Sequence, residues 1–87
     1  MKPKKLLRRL LAGAVHNVSF QDFTTLIEDF GFEFKDIQGS HFTFRHPSIR
    51  VKLSVQNREG EAKSYQVRQF LKIVEKHNLQ LKETADE

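Results

Sequence analysis

The sequence predicts an α+β domain in which a helix, three antiparallel strands and a second helix follow one another behind a short basic helix. Two observations carry this reading. Apolar residues recur at helical spacing over 20–30 and again over 67–74, and between those stretches the spacing switches to alternation. Turn-forming residues punctuate the alternating part at Gln38-Gly39-Ser40 and at Pro47-Ser48.

The elements follow in order. Lys4–Leu11 alternates basic and leucine pairs, which at 100° per residue places leucines on one arc of a helix and cations on the other. Pro3 suits the first turn and Gly13 the stop, so residues 3–12 form a basic amphipathic helix. Its leucines are expected to lie on the domain itself; docking to nucleic acid or to a partner is the alternative. Ser19 has the chemistry of an N-cap and Asp22 supplies an acidic first turn. Phe20, Phe23, Leu26, Ile27 and Phe30 then mark a buried stripe, which Gly31 ends.

From Phe32 the period is two. Phe32 and Phe34 alternate with Glu33 and Lys35, Phe42 and Phe44 with His41, Thr43 and Arg45, and Val51, Leu53 and Val55 with Arg50, Lys52 and Ser54. Asn57–Lys63 is read as a polar loop around Gly60. Ser64 is the expected cap of the last helix, whose stripe is Val67, Phe70, Leu71, Val74 and Asn78, with Arg68, Lys72 and Lys76 on a basic flank. The acidic end, 82–87, is expected to be disordered.

Composition bounds the function. Eighty-seven residues make one small domain with little room for an enclosed cofactor pocket, and none is expected. Eight phenylalanines and no tryptophan imply a core filled by simple rings. The absence of cysteine excludes disulfides and thiolate metal sites, so a reducing cytoplasm is the expected home. No apolar run reaches the roughly 20 residues needed to span a bilayer, and Arg8 and Arg9 interrupt the leucines that a secretory signal would keep continuous. The net charge of +4 points mildly toward a polyanionic partner.

Strand alternation decides which side chains can do chemistry. If Phe42, Phe44, Val51, Leu53 and Val55 face the helices, then His41, Thr43, Arg45, Arg50 and Lys52 face away from them. An imidazole titrates near pH 6.5 when unperturbed and can move protons at neutrality. Cleaving a phosphodiester requires a proton taken from the nucleophile, a proton given to the leaving oxygen and charge stabilised on phosphorus. In RNA the neighbouring 2′-hydroxyl can be the nucleophile. His46 either closes a strand end or serves as a second proton carrier, whereas His16 and His77 fall in structural or exposed positions. No histidine or carboxylate pair has metal-ligand spacing, and P-loops, dinucleotide fingerprints and hydrolase triads are absent.

The stretch Gly39-Ser40-His41-Phe42-Thr43-Phe44-Arg45-His46-Pro47 resembles the signature of the HicA toxin family: Gly-Ser-His, alternating apolar residues, a basic residue and then His-Pro. Helix 19–31 followed by Phe32 is similar to that family's first helix and following strand, and the resemblance spans residues 19–79. It implies a double-stranded-RNA-binding-domain-like fold, with both helices on one face of a three-stranded antiparallel sheet. It implies metal-independent endoribonuclease activity on messenger RNA, with the essential histidine at His41. The RNA-binding residues expected around it are Ser40, Thr43, Arg45, Arg50, Lys52, Lys63 and Arg68. The implied partner is a HicB-type antitoxin that covers the RNA-cleaving surface. On this reading residues 1–17 are a basic helix and linker, 18–81 the HicA-like domain and 82–87 a tail. Two alternatives remain open: a non-catalytic RNA-binding module with the same fold, and a protein-interaction domain.

Overall fold

A computed structural model describes residues 2–81 of the chain; the acidic end, 82–87, lies outside the described residues. The elements run α1 (Pro3–Leu11), α2 (Phe20–Asp29), β1 (Glu33–Gln38), β2 (His41–Arg45), β3 (Lys52–Arg58), β4 (Glu61–Ala62) and α3 (Ser64–Lys76). The strands form one antiparallel sheet in the order β1-β2-β3-β4. The α-β-β-β-α order is as the sequence predicts, with α1 ahead of it and a short fourth strand added. Among the described residues no helix is long and apolar enough to cross a membrane.

Helix α2 forms as its caps dictate. The Ser19 hydroxyl accepts a hydrogen bond from the Asp22 N–H at 3.3 Å, and Asp22 sits favourably at the positive end of the helix. At the other end Gly31 takes φ +99, its N–H donates to the Glu28 carbonyl at 2.9 Å, and the Phe32 N–H reaches back to Ile27. This is the paired C-terminal closure for which a left-handed residue is required. Phe20, Phe23, Leu26 and Ile27 face inward.

The inner face of the sheet meets that stripe. Phe44 stands opposite Leu53 and Phe42 opposite Val55, and the Phe42 ring lies 4.9 Å from that of Phe20. Phe70 of α3 forms the hub of the remaining aromatic packing, with ring centres 5.6 Å from Phe23, 5.5 Å from Phe30 and 6.0 Å from Phe32. These are edge-on contacts, the arrangement that ring quadrupoles favour. In β1 the register shifts at Lys35, so Phe34 and Ile37, three residues apart, both fall on the inner face. Each remains 48% exposed, because the helices cover β2 and β3 and leave the β1 margin open.

Three local features depart from the expectation. The polar stretch 57–63 is not a simple loop: β3 continues to Arg58 and returns as β4 through Glu59 and Gly60. Both turn residues have positive φ, +51 and +88, which suits a two-residue hairpin, and the Asn57 side chain accepts from the Gly60 N–H at 2.7 Å. Lys63 rather than Ser64 caps α3, with no side-chain hydrogen bond, since the helix begins directly as the extended chain leaves β4. Asn78 lies beyond the end of α3 at φ +52 and is exposed, so it takes no part in the apolar stripe.

The start of α2 and the chain just before it are tied to the hairpin by two backbone bonds, Phe20 N–H to Gly60 O and Ala62 N–H to Val18 O. Next to the short β4, the open edge of β3 is covered by one side chain. The Gln66 amide oxygen accepts from the Gln56 N–H at 2.8 Å and its NH₂ donates to the Ser54 carbonyl at 3.3 Å. Gln66 is the buried polar residue among those described, and both halves of its amide are used.

Helix α1 packs against α2 and joins the same core through Leu6 and Leu10, 4% and 2% exposed. Successive 100° steps put these two leucines together, Leu7 on their flank and Leu11 beside the cations. Leu7 is accordingly half-buried and Leu11 is 68% exposed.

Candidate nucleic-acid interface and acid–base site

The face of the sheet turned away from the helices carries three transverse rows. Pairing sets Gln38, His41 and Gln56 side by side at one end, Asp36, Thr43 and Ser54 in the middle, and Glu33, Arg45 and Lys52 at the other end. All are exposed except the half-buried Thr43 and Gln56, in contrast with the burial of Phe44, Leu53 and Val55 between them, so no helix covers this face. The tight turn that delivers His41 depends on Gly39 at φ +60. The Ser40 carbonyl, accepting from the Asn57 N–H at 2.8 Å, anchors that turn to β3.

His41 is exposed and its ring has no hydrogen-bond or ionic partner among the described residues. Its neighbours across the strands are neutral amides, and hydroxyls occupy the next row. The cations lie farther away. Four residues along a strand separate His41 from Arg45, roughly 13 Å at the usual rise. The two ends are thus spread along the strands, and the face is a track along which a strand of several nucleotides could run. Arg50 is not on β3 as expected, because the strand starts at Lys52. It lies in the preceding loop and shares a shallow groove with Arg45, Lys35 and Glu33. Glu33 is engaged by Lys35 at 3.3 Å, which leaves Arg45 and Lys52 as the uncompensated charges of that end.

Lys63 and Arg68 are not brought to this face. Lys63 caps α3 with its ammonium 5.8 Å from the Tyr65 ring, and Arg68 is exposed on the same helix, whose Val67 and Phe70 point into the core. Of the seven residues expected to bind RNA, Thr43, Arg45 and Lys52 share the open sheet face with His41. Ser40 lies in its turn, Arg50 at its rim, and Lys63 and Arg68 on the helical side. Gln38 and Gln56, which flank His41 directly, are not among the site residues expected from the sequence. The two-residue turn Gly39-Ser40 was the available signal, because it sets Gln38 opposite His41.

His46 is part of the fold. Its Nδ1 accepts from the Ser48 N–H at 3.1 Å, so the proton of the neutral ring belongs on Nε2, which lies 3.2 Å from the Phe30 carbonyl it donates to. The ring stands edge-on to Phe32 at 5.1 Å. A Cβ on Gly31 would come within 2.8 Å of Nε2, so the glycine serves both the helix end and the histidine packed on it. His16 is exposed near the β3–β4 hairpin and His77 caps the end of α3. Among the described residues no three side chains of the metal-binding types gather closely enough to hold an ion.

The family model described as the HicA toxin of bacterial toxin-antitoxin systems matches residues 20–75, from the first residue of α2 to near the end of α3. Neither curated proteins nor solved structures gave a significant match.

Proposed function

The chain belongs to the HicA toxin family of bacterial toxin-antitoxin systems, and from that premise we propose that it is a cytoplasmic, metal-independent endoribonuclease cleaving messenger RNA with His41 as its acid–base residue. The observation that carries the proposal is the unpartnered imidazole of His41 at one end of an open sheet face whose other end is cationic. His41 takes the proton from the substrate's 2′-hydroxyl as that oxygen bonds to phosphorus. The bond from phosphorus to the 5′-oxygen breaks, and the imidazolium returns its proton to the departing oxygen. The products are a 2′,3′-cyclic phosphate and a 5′-hydroxyl end. Thr43 and Ser54 donate to the reacting phosphate, whereas Arg45 and Lys52, with Arg50 beside them, hold a neighbouring phosphate along the strand. Ser40 positions the turn, and Lys63 and Arg68 contribute only field from the helical side. A HicB-type antitoxin neutralises the protein by covering this face.

His41→Ala should lower the cleavage rate by about 10²–10⁴, the usual worth of a positioned acid–base group, with an unchanged melting temperature because the side chain is outside the core. Cleavage should persist in excess chelator, and DNA of the same sequence should stay whole. Wild-type activity in the variant would remove His41 from the chemistry. Activity lost to chelator and restored by a divalent ion would remove the metal-free mechanism.

A further inference from the structure

We propose that the outer arc of α1 is a second binding surface for the phosphate backbone of RNA, separate from the sheet face that carries His41. The inference rests on the ribonuclease reading for the identity of its ligand and on α1 itself for the site. Helix α1 precedes the matched span 20–75 and contributes no residue to the His41 face.

Lys4, Arg8 and Lys5 fall at 0°, 40° and 100° around the helix, so they share one arc. All three are exposed and have no hydrogen-bond or ionic partner among the described residues. No acidic residue occurs before Asp22, so the helix carries no internal compensation. The arc is also fixed in place: Leu6 and Leu10 on the opposite side are buried in the core, and α1 rests on α2. The cations therefore stand on an ordered helix rather than on a free arm, which lowers the cost of ordering them on binding.

A regularly charged polymer fits this arc better than the other possible occupants. A helix that lies in a membrane must insert its apolar side, and here that side is already inside the protein. A protein interface needs an apolar or aromatic centre, and among the described residues Leu11 is the one exposed leucine beside the cations. Since α1 lies with the helices and His41 on the opposite side of the sheet, a strand reaching both must pass around an edge of the domain. The α1 surface raises affinity for longer RNA and leaves the chemical step alone.

The test uses the full chain with Lys4→Gln/Lys5→Gln/Arg8→Gln, and a labelled RNA blocked by 2′-O-methyl groups so that it binds without being cut. Each phosphate contact on a single strand contributes a slope of about 0.7 in log affinity against log salt, so losing three should flatten the slope by about 2 and weaken binding roughly 100-fold at 0.1 M salt. Unblocked RNA should show a raised KM and an unchanged kcat. A short RNA that covers only the sheet face should bind both proteins alike. The charge-preserving variant Lys4→Arg/Lys5→Arg/Arg8→Lys should restore affinity. Equal affinity and slope in wild type and the glutamine variant, while wild type still cleaves RNA, would overturn the α1 surface alone. Loss of binding to phosphatidylserine vesicles with RNA binding intact would overturn it in favour of a membrane. A wild-type protein that neither binds nor cuts RNA would overturn the ribonuclease reading as well.

Discussion

Replacing Gly31 by alanine should destabilise the domain in two separable ways. At φ +99 a side chain strains its own backbone, at about 1–2 kcal/mol, less the ~0.4–1 kcal/mol alanine gains by stiffening the unfolded chain. The new Cβ would also stand 2.8 Å from His46 Nε2. The ring cannot simply swing aside, because Ser48 and Phe30 hold its two nitrogens. Displacing it forfeits hydrogen bonds worth about 0.5–1.5 kcal/mol each and part of an edge-on contact with Phe32 worth about as much. The sum is about 2–4 kcal/mol, and in a domain of this size each kcal/mol lowers the melting temperature by about 4–8 °C. Gly31→Ala should therefore melt roughly 10–25 °C below wild type. In a His46→Ala background only the backbone cost remains, about 1 kcal/mol. Urea unfolding of the wild type, both single variants and the double variant should give a coupling of about 1–3 kcal/mol. An equal cost of Gly31→Ala in both backgrounds would refute the contact. A fall in kcat for His46→Ala would return that histidine to the reacting groups.

Two further outcomes concern packing. Leu10→Ala should cost about 2–5 kcal/mol as a buried leucine, while Leu11→Ala one residue on should change stability by no more than about 0.5 kcal/mol; similar small effects at both, measured by thermal melting, would mean that α1 does not dock as described. Gln66→Leu leaves the Gln56 N–H and the Ser54 carbonyl unpaired, at about 1–3 kcal/mol each. Amide exchange at Gln56 should accelerate with it, and an unchanged exchange rate would show that the side-chain amide does not protect that edge.

What could be read in the sequence follows from where one physical signal dominates. The switch from helical spacing in Phe20–Phe30 to alternation in Phe42–Val55 reflects elements buried on one side only, and such elements write their geometry into polarity. The same alternation sorted His41, Thr43, Arg45 and Lys52 onto the open face. Strand β4 escaped because two residues cannot show a period, and its hairpin depends on backbone angles at Glu59 and Gly60 rather than on an apolar pattern. The bulge at Lys35 was legible in principle, since Phe34 and Ile37 can share a face only if one residue is looped out. Placing Lys63 and Arg68 away from His41 required knowing that α3 sits across the sheet, which spacing along the chain does not encode. Arg50 kept the parity of β3, but its strand begins two residues later.

The Gln66 amide stands where a longer β4 would have placed a peptide group, and this bears on self-association. A sheet with two smooth borders can extend from molecule to molecule, each border acting as a template for the next. Here one border is closed by a side chain that offers no continuing ladder. The other, β1, is broken by a bulge and studded with Glu33, Lys35 and Asp36. Neither border offers the uninterrupted row of donors and acceptors that strand-by-strand polymerisation needs, so crowding alone should not convert the free protein into fibres.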